Sequence, residues 1–133
     1  MAPRGPAALG GVVMALHWTA LIAIVAWLAG VLPTWALALH AFAWAGISIA
    51  WGLRGGPSPA LPDPWRKLAW LGQAALLALY VVGAVTALMG LVAAGSILMA
   101  TIAVGVLHGM FNIWRASVLG DGAFRRMLPK ALW

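Results

Sequence analysis

Three histidines, His17, His40 and His108, lie within two long stretches of the chain, Gly5–Leu53 and Leu68–Trp114, that hold no Asp, Glu, Lys or Arg. An ionisable side chain in such surroundings costs free energy and marks a candidate site. Two neutral imidazoles on opposite sides of one iron atom, about 4 Å apart, form the axial pair of a low-spin b-type haem. The competing reading is an imidazole that only hydrogen-bonds a neighbouring helix. The chain has no cysteine, so disulfides, iron–sulfur clusters and thiolate metal sites are excluded. No acid, lysine or arginine falls inside either stretch. The parts for a carboxylate proton relay are therefore missing, and a channel or ion-coupled transporter ranks last.

Whether any two histidines can meet depends on the elements that carry them. The sequence is 133 residues long, 65% hydrophobic and 8% charged, against about 25% charged in ordinary soluble domains. That is one domain, and it lacks the polar shell that water demands. The two uncharged stretches hold 49 and 47 residues, each enough for two membrane-crossing helices of about 20 residues and a tight turn. Breaks at Gly30–Thr34, where Pro33 suits a helix start, and at Gly90 with Ala93-Ala94-Gly95-Ser96 predict helices near 10–31, 35–53, 67–91 and 96–118. The fold class is thus an all-α up-down bundle of four transmembrane helices, with a proline-rich loop over 54–66 and a tail over 119–133. The first apolar run exceeds the 7–15 residues or so of a secretory signal, so the first helix is retained. Two hairpins put both termini and the middle loop on one side. That side carries all eight Lys and Arg, which makes it cytoplasmic. Trp35, Trp51, Trp65, Trp114 and Trp133 fall near the expected interfaces, a structural role.

Depth then separates the histidines. Counted from the expected borders, His17 and His108 each lie about 10 Å from the cytoplasmic side, and His40 about 20 Å. Helices one and four can therefore present His17 and His108 to a single iron, and His40 belongs to the outer half. Gly10, Gly11, Gly105 and Gly109 leave thin helix surface near the pair, although glycines also serve plain helix packing. Arg115 and Arg66 stand near the border, within reach of haem propionates. Gln73 and Asn112 lie level with the pair, where an amide either meets a propionate or quinone carbonyl or forms an interhelical hydrogen bond.

Ala15-Leu16-His17-Trp18, His40 with Gly46-Ile47-Ser48, and Leu107-His108 followed by Arg125-Arg126-Met127-Leu128-Pro129 resemble, in order and spacing over nearly the whole chain, the bacterial cytochrome b561 and nickel-hydrogenase b-type cytochrome superfamily. The resemblance implies a four-helix membrane protein whose cytoplasmic-side haem is held by His17 and His108. It assigns an outer haem to His40 and a second histidine of helix four. That position falls near Ala94, where there is no histidine, so one haem b is expected. Helix three, where related cytochromes carry His-Leu-Gly-His, reads Trp70-Leu71-Gly72-Gln73. This departure removes part of a quinone site.

The expectation is a b-type cytochrome of the bacterial inner membrane. It would exchange single electrons with quinone or a partner redox subunit, as an electron-transfer protein or as a subunit of a quinone-linked oxidoreductase. The alternative is a haem-free scaffold or anchor subunit in a larger respiratory or photosynthetic complex. The net charge of +6 does not point to nucleic acid. Basic residues flanking apolar helices are topology signals, and the basic tail suits anionic lipid headgroups.

Overall fold

A computed structural model describes the backbone of residues 7–51 and 61–120, and the side chains of 11–50 and 61–120. The expectations for Arg4, Arg54, Trp51's indole, Trp133, most of the middle loop and the basic tail fall outside these. The described chain is four α-helices: α1 (Ala7–Leu28), α2 (Thr34–Trp51), α3 (Trp65–Leu88) and α4 (Ala93–Trp114), the last running into a π-helical turn, Arg115–Leu119. Helices α1, α3 and α4 are long and apolar enough to cross a membrane, and α2 is apolar but shorter.

The helix ends differ from the sequence expectation by up to a few residues, and local backbone chemistry explains where they fall. Gly30 and Gly90 adopt φ of 74° and 69°, a left-handed conformation that glycine enters without steric cost. Around each, two backbone bonds close the preceding helix: Gly30 N–H to Trp27 O with Val31 N–H to Ala26 O, and Gly90 N–H to Ala87 O with Leu91 N–H to Thr86 O. This is the Schellman arrangement, which satisfies the last carbonyls. It ends α1 at Leu28 and α3 at Leu88, three residues before the apolar run suggests. Ala93–Ser96, expected as a turn, forms the first turn of α4 instead. Alanine is the best helix former, and the chain has already reversed at Gly90. Pro33 precedes α2 as expected, and its carbonyl accepts from Leu37 N–H at 3.3 Å. Trp27 Nε1 donates to Thr34 Oγ1 at 3.0 Å and ties the end of α1 to the start of α2.

Packing is densest between α3 and α4, then α2 and α3, then α1 and α2, whereas α1 and α4 barely touch. The buried core gathers near the two hairpin turns. Ala20, Ala23 and Ile24 of α1 meet Leu37, Ala38 and Ala41 of α2, Tyr80 and Ala84 of α3, and Leu98 of α4. Five of these nine residues are alanine, so the helices approach closely. Outward faces carry large apolar side chains such as Ile22, Leu39, Ile49 and Leu107, more than 60% exposed. Such a surface fits lipid rather than water.

Among the described glycines the closest approach is at Gly83, where an added Cβ would stand 2.6 Å from Leu98 Cδ2 and 2.9 Å from its Cγ. Leu98 is fully buried, so it has little room to yield. G83A should therefore destabilise the bundle by about 1–3 kcal/mol, read as a lower unfolding midpoint in detergent. G46A, where nothing lies within 4 Å, is the control. Equal midpoints for the two variants would contradict this packing.

Candidate cofactor-binding cavity between the first and last helices

The loose seam between α1 and α4 encloses a cavity of about 260 Å³. Its wall is formed by His17, Trp18 and Leu21 of α1, Trp44 of α2, Leu76 and Tyr80 of α3, and Thr101, Gly105, His108, Gly109 and Asn112 of α4. The residues from α4 follow helical spacing along one face, and the absence of side chains at Gly105 and Gly109 contributes to the space. His17 and His108, on neighbouring helices that touch only sparsely, thus line one cavity.

The histidines differ in how they are held. The His17 ring stands edge-on to Trp18 and Trp44, with centroids 5.8 and 5.7 Å away and interplanar angles of 87°. These are favourable T-shaped contacts that fix the ring while using no ring nitrogen. His108 lies against α3, whose surface is thin there because Gly72 has no side chain. A Cβ at Gly72 would be 3.6 Å from His108 Nδ1. His108 Nε2 is 2.8 Å from Asn112 Nδ2, one turn along the same helix.

His40 is committed elsewhere. Thr19 Oγ1 donates to Ala15 O at 2.6 Å, so its remaining capacity toward His40 Nε2, at 2.8 Å, is as an acceptor. Nε2 therefore carries the proton, and Nδ1 accepts from Tyr80 O–H at 3.0 Å. The chain Tyr80–His40–Thr19–Ala15 ties α3, α2 and α1 together, with both imidazole nitrogens used. Trp44, one turn after His40, packs on Tyr80 with centroids 6.0 Å apart and separates this chain from His17.

His40 lies one helical turn from Trp44 on the same face of α2, on the side toward the Gly30 turn. Trp44 packs on His17 and lines the cavity, whereas His40 does not line it. Its level along α2, rather than its face, sets His40 apart from the cavity wall.

The remaining candidates divide. Arg115 is 1% exposed, although it follows the uncharged stretch immediately. It donates from Nη1 to Asn112 Oδ1 at 3.4 Å and lies 5.8 Å from the Phe111 ring centroid, a cation–π distance. Phe111 stacks in turn on Trp114, and both meet Trp65. Arg66 is exposed and donates through Nε and Nη2 to Leu61 O at 3.2 and 3.0 Å, away from the cavity. Gln73 is half-buried with Oε1 inside the protein, and it is not part of the cavity wall. Asn112 bonds within its own helix, to His108 and Arg115, rather than across helices. Sequence reading missed Tyr80, Thr19 and Trp44. The only signal was the spacing of Trp44 from His40, one helical turn.

Compared with protein-family models, with curated proteins and with solved structures, the chain matches none. The likeness to the cytochrome b561 superfamily therefore stands on the short motifs alone.

Because Tyr80 and Thr19 bond opposite nitrogens of one imidazole, their contributions are coupled. Y80F and T19V should each lower stability by about 0.6–1.7 kcal/mol, the range for interhelical bonds in membranes. Combined, they should cost measurably less than the sum. Strict additivity in unfolding measurements would contradict a shared imidazole.

Proposed function

We propose that this chain is a membrane b-type cytochrome carrying one haem between α1 and α4, with His17 and His108 as axial ligands. It would exchange single electrons with quinone or a partner redox subunit in a bacterial cytoplasmic membrane. The observation that carries the reading is that two imidazoles, from neighbouring helices that pack sparsely, line one cavity while the third imidazole is fully bonded elsewhere. The short motifs around His17, His40 and His108 add to it.

In this reading all four helices cross the bilayer. The 18 residues of α2 extend about 27 Å, close to the roughly 30 Å hydrocarbon thickness. The Lys and Arg side faces the cytoplasm.

The donor set fits a haem in kind. Both ligands are neutral nitrogen bases, the walls are aromatic and aliphatic, and two glycines thin one side. Arg115 holds a positive charge at the cytoplasmic end, where a propionate would be stabilised. The volume fits only with movement. About 260 Å³ lies below the roughly 300–1,000 Å³ of ordinary small-molecule sites, so a macrocycle requires α1 and α4 to part. Their sparse contact makes that the cheapest motion in the bundle. The Asn112 amide must also release His108 Nε2. The haem supplies one-electron chemistry when bound. The chain supplies the imidazoles, a low dielectric and the exclusion of water by Trp18, Trp44 and Leu21.

The small volume and the Asn112–His108 bond favour a second reading, a haem-free anchor subunit of a larger membrane complex. Colour decides between them. Chain produced with ample haem and purified in mild detergent should show a reduced b-type α-band at one haem per chain. H17A and H108A should each abolish it, while H40A should keep it. A colourless parent protein would overturn the cytochrome reading, and loss of the band in H40A alone would overturn the ligand assignment.

A further inference from the structure

Asn112 and Arg115 follow His108 at spacings of four and three residues, which puts all three side chains on one face of α4 and its π-helical end. Their order has a direction. A guanidinium has donors only, so the Asn112 atom it meets must be the amide oxygen, Oδ1, at 3.4 Å. That orients the amide, and its NH2 group then faces His108 Nε2 at 2.8 Å. An NH2 donates, so Nε2 must accept. The neutral ring therefore carries its proton on Nδ1, the nitrogen beside Gly72.

His40 is held in the opposite form. Its proton is on Nε2 because Thr19 accepts there, and its Nδ1 lone pair is used by Tyr80. The two histidines are thus held as opposite tautomers, because the Arg115 donors orient the amide beside His108 and the Ala15 carbonyl takes the Thr19 hydroxyl proton beside His40. Of these two, only His108 lines the cavity, and its Nε2 lone pair is held by Asn112, which lines it too.

We propose that Asn112, oriented by Arg115, is a positioning residue that fixes the His108 proton on Nδ1 and thereby presets Nε2 as the donor atom for a metal-centred ligand in the α1–α4 cavity. The tautomer follows from the side-chain contacts alone. Only its use as a ligand rests on the cytochrome reading. Asn112 also acts as a latch, because its N–H covers the lone pair until a stronger acceptor of that pair displaces it. Only the amide must turn, since its partner Arg115 stays on the same helix.

The two halves separate in one experiment on the full chain. Histidine 15N chemical shifts and long-range 1H–15N couplings in detergent micelles distinguish Nδ1–H from Nε2–H rings. The parent protein should show His108 as Nδ1–H and His40 as Nε2–H, with assignments taken from H108A and H40A. N112D places a carboxylate, which only accepts, against both Arg115 and His108. It should move the His108 proton to Nε2. N112L removes the contact and should give mixed tautomers. Haem titration of the same samples should then show N112D binding at least about tenfold more weakly than N112L, on the scale of a hydrogen bond to a charged group that must be broken. N112L should bind within about threefold of the parent, because it loses the latch together with the preset tautomer. A merely structural Asn112 would make both variants weaker and leave the tautomer alone. Parent His108 found as Nε2–H would overturn the proposal without any variant, as would an unchanged tautomer in N112D. Should the tautomers follow the prediction while no sample binds haem, the positioning role stands and the cytochrome reading falls.

Discussion

In a bundle this apolar, a buried polar group has no water to turn to, and each must find a partner of the right polarity inside the protein. That constraint organises the described interior. Arg115 can only donate, which turns the Asn112 amide, which makes His108 Nε2 an acceptor. Thr19 returns its proton to Ala15 O, which makes it an acceptor for His40, which leaves Nδ1 to receive Tyr80. Few side chains are involved. The protonation pattern of the interior is written into the types of the neighbours.

Packing divides the bundle along a second line. Alanines at 20, 23, 38, 41 and 84 bring the helices together near the hairpin turns, with Leu98 inserted against Gly83. The contact between α1 and α4 is sparse, and the cavity lies between them. Trp18, Trp44 and Tyr80 line it, together with Ala20 and Ile24 from the edge of the core. This loose seam allows the cavity to adjust while the alanine-rich core and the Tyr80–His40–Thr19 tie keep the other three helix pairs in register. His17 and His108 sit on the two sides of that loose seam, and His40 sits within the tie.

Much of this was legible in the sequence. Uncharged blocks of fixed length, punctuated by Gly30, Pro33 and Gly90, placed the four helices, because lipid-like surroundings tolerate few charges and glycine ends helices in a recognisable way. The ends were less legible. Apolar residues continue past Leu28 and Leu88 into the turns, so hydropathy marks no border there, and Ala93–Ser96 is small enough to suggest a turn while being a good helix start. The pairing of His17 with His108 on one cavity follows the sequence expectation of two facing helices. The partners of His40, Thr19 and Tyr80, were not legible, because their roles appear only when three helices are packed together. Asn112 was visible as a polar residue one turn from His108. Its direction of bonding was not, because that is set by Arg115, whose charge suggested an exposed border residue rather than a buried one.

The shared cavity is tested most directly by cross-linking, since the chain has no cysteine of its own. The double variant H17C/H108C, treated in membranes with a short bifunctional thiol reagent, should form an intramolecular bridge between the fragments on either side of a cleavage in the middle loop. The pair H17C/M110C, in which Met110 is 62% exposed and turned away from the cavity two residues from His108, should not. A bridge in the second pair but not the first, or in neither, would mean that residues 17 and 108 do not face one another across the seam.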